Sequence, residues 1–320
     1  MIKYFKMETI AYWIYENKLI FKPNFSNKLD TYLDIISKYN EIIFSNYDYL
    51  DITIKTNNEY YEGYRNYKLS KFNQQIIIPE NVTHLTFGYH FNQQIIIPQN
   101  VTHLIFGYDF NQHVIIPQNV THLTFGNNFN QQIIIPQNIT HLTFGWDFNQ
   151  PVIIPENVTH LTFGSYYNQQ VIIPENVTHL TFGYHFNKQV IIPHNVTHLT
   201  FGFHFNQQVN LLNIKYIKLD CNNIDIIENL PNSVEEIEFD YNFDLELQNL
   251  PNSIKKISFH INSKYDKELN CLPEFVEYLK LGKNYDKRIK KFPLNLKTIK
   301  CDKYYKYIND FKDKFDIIFQ

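Results

Sequence analysis

Phe72 to His90 reads FNQQIIIPENVTHLTFGYH, and the next 19 residues repeat it almost letter for letter. Further copies open at Phe91, Phe110, Phe129, Phe148, Tyr167 and Phe186, seven in all without a gap, and an eighth opens at Phe205 and dissolves within a few residues. A fixed period this short marks a solenoid, because one coil cannot bury its own apolar face and needs a neighbour on each side. Within the phrase, Leu85 and Phe87 alternate with His84 and Thr86, the period of two expected of a strand with one buried face. That assigns Val82, Leu85, Phe87, Phe91, Ile76 and Ile78 to the inside. Gly88 follows the strand, where a left-handed or crowded backbone suits glycine, and Pro79 fixes φ at the opposite corner. Like strands of successive coils then pair in parallel, and every position of the phrase becomes a column.

The same skeleton runs on beyond the regular copies. Val82, Leu85 and Phe87 recur as Ile214, Ile217, Leu219, then Val234, Ile237, Phe239, and then Ile254, Ile257, Phe259. They recur again as Val276, Leu279, Leu281, with Gly282 in register, and last as Leu296, Ile299, Cys301. The proline corner persists at Pro231, Pro251, Pro273 and Pro293, and Tyr64, Tyr67 and Leu69 fit one degenerate coil upstream. The expectation is a mainly β repeat solenoid with one parallel sheet, about twelve coils of 18–22 residues and little helix outside the caps. Residues 1–63 are read as an N-terminal cap or small accessory region and 64–302 as the solenoid, regular over 72–206 and degenerate over 207–302. Residues 303–320 are read as the C-terminal cap.

Composition narrows the function. The net charge of −3 sets up no global field toward nucleic acid or membrane. From 72 to 206 the only basic residue is Lys188, against Glu80, Asp109, Asp147, Glu156 and Glu175. Nucleic-acid binding would want basic residues among the aromatics, and they are missing there. Cys221, Cys271 and Cys301 are an odd count with no CxxC pair, so neither a disulfide framework nor a zinc site is indicated. No glycine-rich phosphate loop, nucleophile elbow or metal-ligand cluster is legible. No catalytic residue, metal or cofactor is therefore expected. The first twenty residues show no clean apolar core of a signal peptide and no transmembrane helix, so the expected location is the cytoplasm. The sequon Asn81-Val82-Thr83 recurs at Asn100, Asn119, Asn138, Asn157, Asn176 and Asn195, and is read as a structural asparagine repeated because the coil repeats.

The phrase LPNSVEEIEF at 230–239, with VTHLTFG and its following FNQ in the clean copies, resembles the FNIP repeat, a short relative of the leucine-rich repeat. That repeat is abundant in amoebae and in the giant DNA viruses that infect them, so the cytoplasm would be the host's if the chain is viral. The resemblance rests on Pro79, Val82, Thr83, His84, Leu85, Thr86, Phe87, Gly88, Phe91 and Asn92 and their six sets of equivalents, and Phe148-Asn149-Gln150-Pro151 carries the family's proline as well. It implies a leucine-rich-repeat-like, right-handed, curved coil that binds a partner protein without catalysis. Some chains of this kind begin with an F-box, which docks to a ubiquitin-ligase scaffold. Thr31–Asn40 fits a short amphipathic helix, but the Leu-Pro opening of an F-box is missing. A ligase adaptor is thus the alternative function, and a structural or scaffold role a further one.

Two sets of columns are candidates for recognition. His84, His103, His122, His141, His160, His179 and His198 form one outward column, which is either a metal-binding or pH-sensing strip or a repeat residue sharing hydrogen bonds with adjacent threonine. No cysteine or carboxylate accompanies it, which favours the second reading. The asparagines of the FN pair are read as hydrogen-bonded to backbone at a turn. The pair after each glycine changes where everything around it is constant. It reads Tyr89-His90, Tyr108-Asp109, Asn127-Asn128, Trp146-Asp147, Ser165-Tyr166, Tyr184-His185 and Phe203-His204. A core position would not accept Ser, Asn and Trp alike, so the pair is expected on an exposed rim. Aromatics and histidines presented in series there are what a protein-binding surface uses as anchors.

Overall fold

The structure is a computed structural model that describes residues 11–46 and 69–320. It divides into two compact units, 1–155 and 156–320. In the first unit, β1 (Tyr12–Tyr15) and β2 (Lys18–Phe21) form an antiparallel hairpin. From β2 the sheet continues in parallel and in chain order through β3 (Glu41–Phe44), β4 (His84–Thr86), β5 (His103–Ile105), β6 (His122–Thr124) and β7 (His141–Thr143). The register is the one the repeat dictates: His84 faces His103, Leu85 faces Leu104, and the pattern repeats through His122 and His141.

The second unit has one parallel sheet of nine described strands, again in chain order. It runs β8 (His160–Thr162), β9 (His179–Thr181), β10 (His198–Phe201), β11 (Tyr216–Leu219), β12 (Glu236–Phe239), β13 (Lys256–Phe259), β14 (Tyr278–Lys280), β15 (Thr298–Cys301) and β16 (Asp316–Phe319). Among the described residues, helix is confined to short turns such as Leu33–Ile36 and Ile224–Glu228. This is the β solenoid expected of the repeat.

The core is a set of ladders running through each unit. In the first, Val82, Val101, Val120 and Ile139 are fully buried, as are Leu85 and its equivalents. Two phenylalanine columns stack behind the sheet. Phe87 lies 4.2 Å from Phe91 within a coil and 5.6 Å from Phe106 in the next. Phe91, Phe110, Phe129 and Phe148 follow one another at 6.1–6.2 Å, whereas the histidines on the sheet lie 4.1–4.2 Å apart. The coils of this unit therefore fan apart from the sheet toward the Phe91 column. The skeleton read past the regular copies is buried throughout, from Ile214 to Cys301.

Polar ladders tie coil to coil. The Asn73 Oδ1 accepts from the Asn92 backbone N–H at 2.9 Å, and the Asn92 Oδ1 from that of Asn111 at 2.9 Å. Gln93 and Gln112 donate to the same two oxygens. The FN asparagines are thus structural, but they bond the next coil and not their own turn. The sequon asparagines donate backward, Asn119 Nδ2 to the Gln99 carbonyl at 2.8 Å and Asn138 Nδ2 to that of Gln118 at 2.9 Å.

The glycine column resolves an alternative left open by the sequence. None of the described glycines has positive φ. A Cβ on Gly126 would lie 1.7 Å from the Gly107 carbonyl oxygen, so crowding alone requires glycine.

The strand count exceeds the coils read from the sequence. The parallel strands β2, β3 and β16 lie in the stretches read as caps, 1–63 and 303–320. Each carries a hydrophobic pair two apart (Leu19 and Phe21, Ile42 and Phe44, Ile317 and Phe319), as Leu85 and Phe87 do, but without a proline corner before it or a glycine after it. Thr31–Asn40, read as a helix, holds only the end of a 3₁₀ turn and the single helical turn Leu33–Ile36. Tyr64 and Tyr67, read as a degenerate coil with Leu69, lie outside the described residues.

Candidate interaction surface

The outward histidines form a stack in each unit. The Thr102 Oγ1 donates to the Thr83 carbonyl at 3.1 Å and lies 2.9 Å from the His103 Nδ1, and the same pattern recurs at Thr121 and His122 and at Thr140 and His141. With the hydroxyl proton given to the carbonyl, Nδ1–H donates to Oγ1 and Nε2 is left as the acceptor. Burial first, then the neighbouring imidazoles, holds His122 down to about 4, and burial lowers His103 and His141 as well. His103, His122 and His141 are therefore neutral at pH 7. In the second unit, His160, His179 and His198 repeat it at 4.1–4.2 Å, and His198 ends on the Tyr216 ring at 5.7 Å. Among the described residues no group of three His, Cys, Asp or Glu is placed to hold a metal ion.

The pair after each glycine separates into two columns with different chemistry. The first position stacks along the unit: Tyr89 and Tyr108 are 4.5 Å apart and within 6° of parallel. The second is polar and bonded within its column. His90 Nδ1 meets the Asp109 carboxylate at 2.6 Å, and Asn128 Nδ2 donates to Asp109 at 3.2 Å. The backbone is tied as well, Asp109 N–H to the Tyr89 carbonyl at 2.9 Å and Asp147 N–H to that of Asn127 at 2.8 Å. In the second unit, Tyr184 stacks on Phe203 at 5.1 Å, and Tyr166 and His204 flank His185 at 4.8 and 5.0 Å.

This segment is an ordered, half-buried rim. Its most open aromatics are Trp146 at 45% exposure, Tyr166 at 51% and Tyr184 at 38%. Beside it in the first unit is a shallow cleft of about 470 Å³, lined by Lys71, Asn73, His90, Asn92, Asp109 and Asn128.

The sequence reading passed over two further surfaces. The middle isoleucine of each IIIP run points outward: Ile96, Ile115 and Ile134 are 88–89% exposed. The signal was the period of two, which puts Ile77 outside once Ile76 and Ile78 are inside. The second is the charge pattern of the sheet face over β11 to β15, which the sequence shows only after the strands are set in register. Among the described residues, no helix is long and apolar enough to cross a membrane.

No curated protein matches this chain. Among solved structures it is similar to CroV588 of a giant virus, described as a novel circular LRR protein, at 28% identity and a TM-score of 0.58. The match covers 92% of this chain and 58% of that one, so this chain spans little more than half the length of that protein. Six overlapping segments between residues 72 and 204, and a seventh at 222–262, match the family described as FNIP Repeat, together more than half of the 320 residues. With its glycine, asparagine and phenylalanine columns accounted for by the stack, the chain belongs to the FNIP repeat family and has a fold of the leucine-rich-repeat type.

Proposed function

We propose that this protein is a non-catalytic interaction module in the cytoplasm, host cytoplasm if viral, that binds a partner protein along the rim after each glycine. The observation that carries this reading is the division of labour within the repeat. Leu85, Phe87, Gly88 and Asn92 and their equivalents are constant between copies, Val82 and Phe91 change only to Ile139 and Tyr167, and all are engaged in the stack. The rim pair varies between copies, yet it presents stacked rings at half-exposed sites. Large aromatics held rigidly at a surface give contact area at little entropic cost, which is what anchors of an interface need.

The experiment is affinity capture with the full chain from cells that express it, followed by mass spectrometry of what is retained. The reading predicts a specific protein partner. Copurifying ubiquitin-ligase subunits would identify the adaptor alternative, and recovery of the chain among the major components of a purified particle would identify a scaffold.

A further inference from the structure

On the second unit's sheet face, charge is arranged coil by coil. The column that follows Thr197 reads Lys215, Glu235, Lys255, Glu277, Lys297, alternating in sign, with Glu235 and Lys255 at 2.8 Å and Glu277 and Lys297 at 2.7 Å. In the next column Glu236 meets Lys256 at 2.9 Å. In the third, Lys218 bonds Glu238 at 2.9 Å and Asp240 at 3.0 Å, and the Tyr216 hydroxyl donates to Glu238 at 3.1 Å. Each strand charge on β11, β12 and β13 is answered by a neighbour, as cross-strand pairing favours.

The third column then departs from the pattern. After Glu238 it reads Ser258, Lys280, Lys300 and Ile318. Lys280 and Lys300 sit directly opposite one another in the parallel register. Among the described residues, neither has a carboxylate within ion-pair distance. Both are half-buried. Burial, then Lys300, Lys218 and Lys256, pulls the Lys280 ammonium below the usual lysine range against an opposing pull from Glu238. Like charges directly opposite in a ladder destabilise it. On a face whose first column alternates in sign from Lys215 to Lys297, these two lysines of the third column face each other with no anion between them.

We propose that Lys280 and Lys300 are the docking point for an acidic side chain of a partner polypeptide lying across the sheet face of the second unit, beside the Tyr278 ring. One carboxylate between two ammonium groups supplies the missing charge. Tyr278, two residues before Lys280 on the same face, offers an amphipathic surface for the flanking peptide. A nucleic-acid backbone is disfavoured, because a run of phosphates would also cross Glu236, Glu238 and Asp240. This site goes beyond the rim and uses none of its residues, so either reading fails without the other.

The test uses the full chain and a fluorescein-labelled octapeptide of alternating glutamate and glycine, read by anisotropy at low and high salt. An oligonucleotide of the same charge serves as comparison. Saturable, salt-sensitive peptide binding is expected, weakened at least tenfold by Lys280→Gln with Lys300→Gln and unchanged by Lys312→Gln. Lys300→Glu, which restores alternation, is expected to raise the melting temperature while abolishing binding. A site kept only for the fold would move the other way. The proposal is overturned by absence of peptide binding, by a double variant that binds like the wild type, by a Lys300→Glu chain that melts lower, or by tighter binding of the oligonucleotide.

Discussion

At Gly126 the space for a single methyl group is already filled, since its Cβ would sit 1.7 Å from the Gly107 carbonyl oxygen. The obstacle is backbone, so it yields only if two coils move apart. Gly126→Ala is expected to destabilise the protein by about 1–3 kcal/mol, the range for overpacking a well-packed site, and thermal melting checks this. The histidine stack gives a prediction in pH. His103, His122 and His141 are lowered in the folded chain, His122 to about 4, while an unfolded histidine titrates near 6.5. Between those values the unfolded chain binds more protons, so the stack's contribution is intact above about pH 6.5 and is lost as pH falls toward 4. The melting temperature of the wild type should fall more steeply over that window than that of His103→Gln with His122→Gln. Equal slopes would show that the stack does not titrate as a unit.

At the level of the coil, the repeat makes the protein divisible in steps of 19 and in no other. Removing 110–128 deletes one complete copy and returns Phe129 to the place of Phe110, with the glycine, asparagine and phenylalanine columns unbroken. That variant is expected to fold, with a circular dichroism spectrum of the same shape and a cooperative melt, because stability in a stack is a sum over nearest neighbours. Removing 110–118 instead leaves β6 without Phe110, Ile116 and the proline corner of its own coil, and should abolish the cooperative melt. The regular coils were legible in sequence because Leu85, Phe87, Gly88 and Pro79 recur at fixed offsets. The strands β2, β3 and β16 were not, because Leu19-Ile20-Phe21, Ile42-Ile43-Phe44 and Ile317-Ile318-Phe319 lack the proline and glycine that punctuate a coil. A short apolar run without turn signals does not declare its secondary structure.

Across the described regular coils, positions held constant between copies are engaged in packing and inter-coil hydrogen bonds, with the outward Ile96 column the exception, and the pair that changes most lies at the rim. The location of the rim was legible from that variation alone. Its internal order was not: the Tyr89–Tyr108 stack and the His90–Asp109 pair depend on which coils are neighbours. The unanswered lysines were hidden for the same reason, since Lys280 and Lys300 are twenty residues apart until the register sets them opposite. The most direct test of the account is a binding measurement on the triple variant Trp146→Ser, Tyr166→Ser, Tyr184→Ser with the captured partner. These side chains are 38–51% exposed, so the variant should melt within a few degrees of the wild type and lose at least a hundredfold in affinity. Wild-type affinity in a folded triple variant would contradict the assignment of recognition to the rim.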